Sequence, residues 1–220
     1  MIDEAIADPD PAERVALVDA LALAFRDNPM NIAIHGPRAG HRVRANRAGL
    51  RALVLDSARQ TVTRVIRHGG RVAGGFVVVP PGAFPLPAPR VRRLIGSFFH
   101  QGARAMDQWS QVAASLGVLH PVTDHWYLAV LGVVPSLHGR GLGTRLVEAL
   151  LRTVATDPRP IYLESDREAS VRFYLGRGFR TVAEVKPLDV TCWCLLRERP
   201  GGAGDLCDSV REAGVDEFRV

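Results

Sequence analysis

The sequence predicts a mixed α/β domain, in which helices pack against one β-sheet, and three observations predict it. Residues 61–79 contain two β-branched runs joined by His68, Gly69 and Gly70, a pattern typical of an antiparallel hairpin. Residues 126–164 give an apolar strand, an amphipathic helix and a short strand, which indicates a right-handed crossover to a parallel neighbour. The segments "FRTVAEV" and "VTCWCLLR", 179–185 and 190–197, predict a closing antiparallel pair.

The remaining segments before the crossover are predicted to be mainly helical. Asp10 is expected to cap a helix that has Pro11 at its first position and Glu13 closing a capping box. A second helix is expected from Arg42 to Leu55. We interpret its arginine stripe as a solvated face formed by Arg44, Arg47 and Arg51. A proline-rich connector follows the hairpin, and two further helices broken near Gly102 come after it.

Length and composition favour one soluble domain. The chain has 220 residues, of which 47% are hydrophobic, so a sizeable core is available. We expect a single domain over residues 1–199 and a peripheral tail over 200–220. The acidic start of the sequence has no signal-peptide pattern, and no apolar run approaches the roughly 20 residues of a membrane span. These features predict a cytoplasmic protein that does not bind membranes.

The cysteines and the charge exclude some classes of function. Cys192, Cys194 and Cys207 are few and lack metal-ligand spacing, so we expect reduced thiols and no metal site. The net charge of +5 rests almost wholly on arginine, since Lys186 is the only lysine. Arginine suits a phosphate-bearing ligand. The arginines are spread along the whole chain without interleaved aromatic residues, which argues against a nucleic-acid-binding face.

Three glycines, Gly139, Gly141 and Gly143, lie between the apolar strand and the amphipathic helix. A strand that turns through glycines into a helix leaves unpaired N–H groups at the positive end of the helix dipole, which suits a phosphate. A nucleotide P-loop would need a lysine, but Thr144 follows the last glycine. The spacing also departs from a dinucleotide fingerprint, although Glu164 lies where that motif has its acidic residue. The alternative is that the glycines only permit close helix packing.

A second cluster of features follows Glu164. Ser165 and Glu168 predict another capping box at the start of a short helix, and Gly178 is placed to end that helix as a left-handed cap. Phe173 and Tyr174 lie within it.

The segment "LGVVPSLHGRGLGTRL" resembles the acetyl-CoA-binding motif of the GNAT superfamily of N-acetyltransferases. The family pattern, Gln or Arg followed by spaced glycines, falls on His138, Gly141 and Gly143. The segment "YLESDREASVRFYLGRGF" is similar to the family's second motif, which ends in Phe-Tyr-x-x-x-Gly-Phe. The resemblance covers about residues 124–197. Within it, the segments "HWYL", "YLES" and "TCWCLLRE" are similar in particular to the subgroup that includes puromycin N-acetyltransferase. Ser170 and Arg172 stand where that subgroup often has Asn and Pro.

This resemblance implies a mostly antiparallel mixed sheet that splays at the acetyl-CoA site. The pantetheine arm would pair with the backbone of Leu131, Gly132 and Val133, and an N–H near Val133 would stabilise the oxyanion. Ser170 would contact the pantetheine arm. The pyrophosphate would rest on the turn formed by His138, Gly139, Arg140, Gly141, Leu142, Gly143 and Thr144.

The resemblance also implies the catalytic groups. Tyr174 matches the tyrosine that protonates the departing thiolate, and the alternative is a core aromatic residue. Glu164 is the first candidate for the base that deprotonates the amine, although it could bind the acceptor's ammonium or be structural. His120 and His125 are weaker candidates for the base.

The function expected from the sequence is therefore direct transfer of an acetyl group from acetyl-CoA to a primary amine of a small molecule. The alternative is a non-catalytic module of the same fold that binds acyl-CoA. Residues 25–38 and Trp126 are expected to form the acceptor pocket, but they do not name the acceptor. A homodimer is compatible with the sequence.

Overall fold

The computed structural model describes residues 5–198, so the predicted tail over 200–220 and Cys207 lie outside the described residues. One seven-stranded sheet forms the centre, in the order β1-β2-β3-β4-β5-β7-β6. Among these strands β4 and β5 are parallel and the other neighbours are antiparallel. The strands are β1 Ile6–Ala7, β2 Val62–His68, β3 Arg71–Val79, β4 Trp126–Val133, β5 Ile161–Ser165, β6 Arg180–Val185 and β7 Cys192–Arg197. The predicted fold class is confirmed.

Seven α-helices cover the described part of the sheet on both faces. They are α1 Pro11–Ala24, α2 Pro29–His35, α3 Ala39–Arg51, α4 Val91–Gln101, α5 Ala103–Gly117, α6 Leu142–Thr153 and α7 Glu168–Leu175. Alternate residues of β3 enter different clusters of the core, because side chains of a strand point to opposite faces. Phe76 packs with α6 and α7, whereas Val77 packs with α1. None of the helices in residues 5–198 is long and apolar enough to cross a bilayer.

The predicted start of α1 is confirmed. The backbone N–H of Glu13 donates to Asp10 Oδ1 at 2.8 Å, and the N–H of Asp10 donates to Glu13 Oε2 at 3.0 Å. Glu13 also forms an ion pair with Arg67 of β2 at 2.6 Å, and this contact lowers the pKa of the Glu13 carboxyl. The capping box therefore fixes both the first turn of α1 and its position against the sheet.

The second predicted helix differs from the structure at both ends. It begins at Ala39, and after Arg51 the chain continues as a π-helical turn, Ala52–Asp56. Arg42 is buried, and its guanidinium donates to the carbonyl oxygens of Arg26 and Gly36. These tertiary hydrogen bonds hold the first turn of α3 in place. The periodicity of the sequence, from which the helix is predicted, does not reveal such bonds.

The predictions for the hairpin glycines and for Gly102 are confirmed. Gly69 and Gly70 adopt φ angles of 58° and 73°, which the tight turn between β2 and β3 requires. Gly102, at φ 83°, separates α4 from α5. Cys192 and Cys194 are buried free thiols in β7, and burial raises the pKa of Cys192 to about 12 and that of Cys194 to about 11.

The second predicted capping box is wrong, whereas the predicted end of α7 is confirmed. Arg167 precedes α7 without a side-chain cap, and Ser165 Oγ accepts from the N–H of Arg167 at 3.3 Å, because Ser165 still belongs to β5. Gly178 has φ 83° and donates to the carbonyl of Leu175, while Phe179 N–H donates to Tyr174 O. This pair of bonds is a Schellman motif.

Candidate active site

Strands β4 and β5 pair at one end of the sheet and separate at the other. Their register is Trp126 opposite Ile161 and Tyr127 opposite Tyr162, and the pairing stops there. Beyond that point β4 continues to Val133, paired on its other edge with β3, while β5 pairs on its other edge with β7. Leu131, Gly132 and Val133 therefore have no β5 partner, and their backbone edge faces the gap between the two strands.

Gly132 is required by packing on the sheet face that α1 covers. A Cβ atom at this position would lie 2.9 Å from Ala24 Cβ and 3.0 Å from a methyl group of Leu21. The absence of a side chain thus lets α1 lie directly on β4, next to the gap. The resemblance of this segment to a cofactor-binding motif does not predict that Gly132 is also needed for packing against α1.

The glycine turn connects β4 to α6. Gly139 and Gly141 have φ angles of 77° and 78°, and a Cβ atom at either position would meet nothing within 4 Å. Gly141 caps α6 in the left-handed conformation without a side-chain hydrogen bond, so the first N–H groups of α6 have no acceptor in the helix. His138 Nε2 contacts Val133 O at 2.9 Å and ties the turn to the end of β4. The cradle is open and carries donors suited to a phosphate.

Arg177 is a residue that the sequence analysis missed. It donates to Thr144 Oγ1 at 2.6 Å and to the carbonyl of Phe173 at 2.7 Å, and its guanidinium lies 3.6 Å above the Phe173 ring. The Thr144 hydroxyl is therefore engaged with α7, and a Cβ at Gly143 would contact the same Phe173 ring at 3.6 Å. These contacts hold the start of α6 against α7, which carries Tyr174.

Tyr174 lies in the wall of the cavity at the gap. Its side chain is buried between the rings of Phe173 and Phe179, whose centroids are 5.3 and 5.4 Å away. Burial raises the pKa of the Tyr174 hydroxyl well above its ordinary value, although the nearby Arg177 charge opposes this shift. The phenol therefore stays protonated across the neutral and moderately alkaline range.

Glu164, at the end of β5, forms part of a hydrogen-bonded series. Its Oε1 atom lies 3.0 Å from His120 Nε2, His120 Nδ1 lies 3.1 Å from His125 Nε2, and His125 Nδ1 lies 2.8 Å from the carbonyl of Thr123. The side chains of Glu164 and His120 are only 11% and 8% exposed. The structure thus joins the three residues that the sequence analysis treated as alternatives.

Aromatic rings enclose this series. Phe84 stacks on the His120 ring at 4.0 Å with parallel planes, and Tyr127 and Tyr162 lie edge-on or tilted at 4.7 and 4.6 Å. The Tyr127 hydroxyl is hydrogen-bonded to Glu164. Burial, together with this negative charge, raises the pKa of Tyr127. Glu164 therefore has fixed partners on two sides.

One cavity of about 530 Å³ brings these groups together. Its wall contains Leu131, Glu164, Ser170 and Tyr174 of the predicted site. The helices add a larger set of residues, most of them apolar: Phe25, Met30, Asn31, Asn46, Leu50, Leu53, Gln101, Met106, Trp109, Val112 and Leu116. The cavity thus connects the gap between β4 and β5 with the space enclosed by α2, α3, α4 and α5.

Asp166 lies in the wall of this cavity, directly after β5. Its Oδ2 accepts from the N–H of Met30 at 2.8 Å, and its Oδ1 accepts from Asn28 Nδ2 at 3.0 Å. Asp166 therefore fixes the start of α2 against the end of β5. Burial raises the pKa of its carboxyl, while these hydrogen bonds act in the opposite direction.

Part of the segment predicted to form the acceptor pocket lines this cavity. Phe25, Asn28, Met30 and Asn31 line the cavity, whereas Trp126 packs in the core beside α6 and does not. The walls from α3, α4 and α5 were missed. The sequence indicates these walls only through the amphipathic pattern of the three helices. That pattern predicts that one face of each helix is buried, but it does not predict that the buried faces line a cavity.

The fold and the site define the class of protein. Residues 44–179 match the family model described as the acetyltransferase (GNAT) family, and this match covers more than half of the chain. The chain belongs to this family and is an acetyltransferase.

Solved structures agree with this fold. A Corynebacterium glutamicum histone acetyltransferase HPA2-related protein is 18% identical, with a TM-score of 0.64 over 90% of this chain and 97% of that chain. Drosophila melanogaster polyamine N-acetyltransferase is 16% identical, with a TM-score of 0.65 over 89% and 100%. The PaiA N-acetyltransferase of Thermoplasma acidophilum, solved with coenzyme A, is 9% identical, with a TM-score of 0.54 over 88% and 98%.

Proposed function

We propose that this protein transfers an acetyl group from acetyl-CoA to the primary amine of a small molecule, by direct attack of the amine. The observation that carries the proposal is the single cavity in which the strand gap, Tyr174 and Glu164 meet. The family supports the donor, and the polyamine and agmatine N-acetyltransferases among the similar structures support an amine acceptor.

The residues present fit acetyl-CoA at two places. The open turn at Gly139 and Gly141 offers unpaired N–H groups to the pyrophosphate. The backbone edge of Leu131, Gly132 and Val133, which has no β5 partner, offers strand-like hydrogen bonds to the pantetheine arm, and Ser170 lines the cavity that Leu131 also lines. Leu142 takes part through its backbone, because its side chain is buried in the core, whereas the exposed Arg140 can offer both its backbone N–H and its guanidinium to the phosphates.

The chemistry then needs three groups. The amine nitrogen attacks the thioester carbonyl, and a backbone N–H near Val133 stabilises the negative oxygen, an effect worth about 3 kcal/mol per donor in acyl transfer. Glu164 takes a proton from the amine. When the carbon–sulfur bond breaks, Tyr174 donates its proton to the thiolate, and the second proton lost by the newly bonded nitrogen restores the tyrosine hydroxyl. The high pKa of Tyr174 keeps its proton available until that point.

The proposal also includes the subgroup, the domain bounds, the cellular location and the oligomeric state. We assign the chain to the puromycin N-acetyltransferase-like subgroup on its motif resemblance, and we assign residues 1–199 to one catalytic domain followed by a peripheral tail. A cytoplasmic location and a homodimer are compatible with this function.

The test is thiol release from acetyl-CoA with a panel of primary amines. Amine-dependent release with formation of the N-acetylated product supports the proposal. Binding of acetyl-CoA without turnover on any amine would instead favour the alternative, a non-catalytic module that binds acyl-CoA.

A further inference from the structure

The cavity carries charge at one end only. Among the described residues that line it, the carboxylates are Glu164 and Asp166, both at the end of β5, and no Arg, Lys or His is present. Tyr174 and Cys192 also line it, and burial raises the pKa of both, so they are neutral. The wall formed by α3, α4 and α5 is apolar or carries neutral amides and hydroxyls.

This distribution limits the acceptor. A single ammonium at the β5 end lies near both carboxyl groups, of which Asp166 already accepts from the N–H of Met30 and from Asn28 Nδ2. A second cation on the distal body of the acceptor would lie against the wall formed by α3, α4 and α5, where neither carboxyl group is present. A carboxylate or phosphate on the acceptor would have no cation to pair with. Burying a charge without a partner is strongly unfavourable, so each of these groups counts against binding.

We propose that the acceptor is a lipophilic monoamine: one primary ammonium, no acidic group and an apolar or aromatic body. This inference rests on the proposed function and narrows it, because polyamines and free amino acids do not fit the charge distribution. Phe25 and Trp109 supply aromatic surface for the body of the acceptor.

The test compares kcat/KM for phenethylamine and tryptamine with that for putrescine, agmatine and phenylalanine. We expect the monoamines to exceed the others by ~100-fold, in line with the cost of an unpaired buried charge. Equal or better use of a diamine or an amino acid would contradict this inference and leave acetyl transfer intact. No turnover with any amine would contradict the proposed function and this inference with it.

A variant tests the charge argument itself. Gln101 donates to Ser97 Oγ, and in Gln101→Glu the Ser97 hydroxyl can donate in the reverse direction, so the contact is kept. The new carboxylate at the end of α4 should raise the agmatine-to-phenethylamine ratio of kcat/KM about tenfold, as expected for a charged hydrogen bond. Gln60→Glu, the same change at an exposed residue outside the cavity, should leave the ratio unchanged. An unchanged ratio in Gln101→Glu would contradict the argument.

A second observation, independent of the cavity wall, concerns the number of protons in the series Glu164–His120–His125. Its three contacts need one hydrogen each. The Thr123 carbonyl can only accept, so His125 Nδ1 must donate to it. Two neutral imidazoles carry two ring hydrogens, and an ionised carboxylate carries none. One of the three contacts would then bring two acceptors together at about 3 Å.

We infer that Glu164, His120 and His125 share one additional proton and conduct the amine's proton away from the cavity. One proton enters when the ammonium N–H bond breaks and the proton moves to Glu164, and one leaves from His125 Nδ1 to a solvent water when that N–H separates from the Thr123 carbonyl, which is exposed. The charge of the series is therefore restored after each turnover. His120 and His125 do not reach the acceptor in this scheme; they act through Glu164.

The surroundings favour release at the His125 end. Burial lowers the pKa of His125, the hydrogen bond to Thr123 O opposes that shift, and Thr123 and Asp124 are exposed beside it. His120 is covered by Phe84 on its stacked face. The titratable groups that face the series from the adjoining segments are Asp124, Tyr127, Tyr162, Cys192 and Cys194.

Nuclear magnetic resonance tests the proton count without relying on activity. At pH 7, ¹⁵N shifts of the two imidazoles and the ¹³C shift of the Glu164 carboxyl should show one cationic imidazole, or a protonated carboxyl with neutral rings. Two neutral imidazoles together with an ionised Glu164 would overturn the inference.

Kinetics test the conduction. His120→Gln keeps hydrogen bonding but cannot carry a proton, so kcat should fall roughly 100-fold at pH 7, the low end for assisted proton transfer. The loss should shrink at high pH, where free amine forms unaided, and KM for acetyl-CoA should not change. His100→Gln, at an exposed histidine of α4, is the control. A wild-type kcat and pH profile in His120→Gln would contradict conduction, and if this variant does not fold, the resonance measurement on the wild type decides.

Discussion

Tyr174 is the residue on which the proposed chemistry depends most directly. Tyr174→Phe keeps the ring between Phe173 and Phe179 and removes only the hydroxyl. We expect kcat to fall roughly 10²- to 10⁴-fold with acetyl-CoA affinity unchanged, because the lost interaction acts in the transition state. Steady-state kinetics and calorimetric titration with CoA measure the two quantities.

The pH dependence gives Tyr174 a second signature. Since its folded-state pKa is raised, the hydroxyl remains protonated as pH rises past the ordinary tyrosine value of about 10. The wild-type rate should therefore show no loss of general acid near pH 10. Near wild-type turnover in Tyr174→Phe, or a loss explained by unfolding alone, would leave Tyr174 as a core aromatic residue.

Glu164 is expected to act before the acyl transfer, when the amine must lose a proton. Glu164→Gln should lower kcat/KM most at low pH, where free amine is scarce, and least near the amine pKa of about 10. The measurement is a pH–rate profile of both proteins. A loss that is uniform across pH would indicate that Glu164 orients the acceptor or supports the structure.

At the scale of elements, the turn between β4 and α6 is expected to bind the pyrophosphate. Acetyl-CoA at about a hundredfold above its Kd should stabilise the wild type by about 2.7 kcal/mol, measured as a shift in Tm. Gly141→Glu should abolish the shift, because Gly141 has φ 78° and the added carboxylate repels phosphate. Gly117→Glu makes the same charge change in open space at the end of α5 and should keep the shift. Equal shifts in wild type and Gly141→Glu would place the pyrophosphate elsewhere.

The contact between α1 and β4 makes a separate prediction about stability. Gly132→Ala would place a Cβ 2.9 Å from Ala24, so the free energy of unfolding should fall by about 1–3 kcal/mol, as for other overpacked cores. Gly96→Ala, in α4 with nothing near its Cβ, should be neutral or slightly stabilising because alanine favours helix. Denaturant unfolding compares the two. Equal stability of both variants would show that α1 can move away from β4.

The elements that could be predicted from the sequence are those fixed by local chemistry. The capping box at Asp10, the paired glycines of the hairpin, Gly102 and the Schellman glycine Gly178 all specify their own conformation. The start of α3 depends instead on hydrogen bonds from buried Arg42 to distant carbonyls. Ser165 was assigned to a cap because its spacing to Glu168 fits one, but pairing with β7 holds it in a strand.

At the scale of the whole molecule, the residues proposed to bind the donor could be identified from the sequence, whereas most of the cavity wall proposed to hold the acceptor could not. The donor residues are close in sequence, since the gap, the turn and Tyr174 all fall within residues 131–174. Most of that wall comes from α2, α3, α4 and α5, which precede β4 in the sequence. These helices come together only in the folded protein. The contact between His120 and Glu164 joins positions 44 residues apart. The sequence around either residue does not indicate that the two side chains contact each other.

In the proposed reaction, the acetyl group moves directly from the donor to the amine within one cavity. The most direct measurement is a single-turnover reaction, with acetyl-CoA, a lipophilic monoamine and excess enzyme, followed by mass spectrometry of small molecules and protein. The account predicts equimolar CoA and N-acetylated amine, with no acetylated protein when the amine is omitted. Acetylated protein formed from acetyl-CoA alone and consumed on adding amine, or bound acetyl-CoA that no amine can discharge, would contradict it.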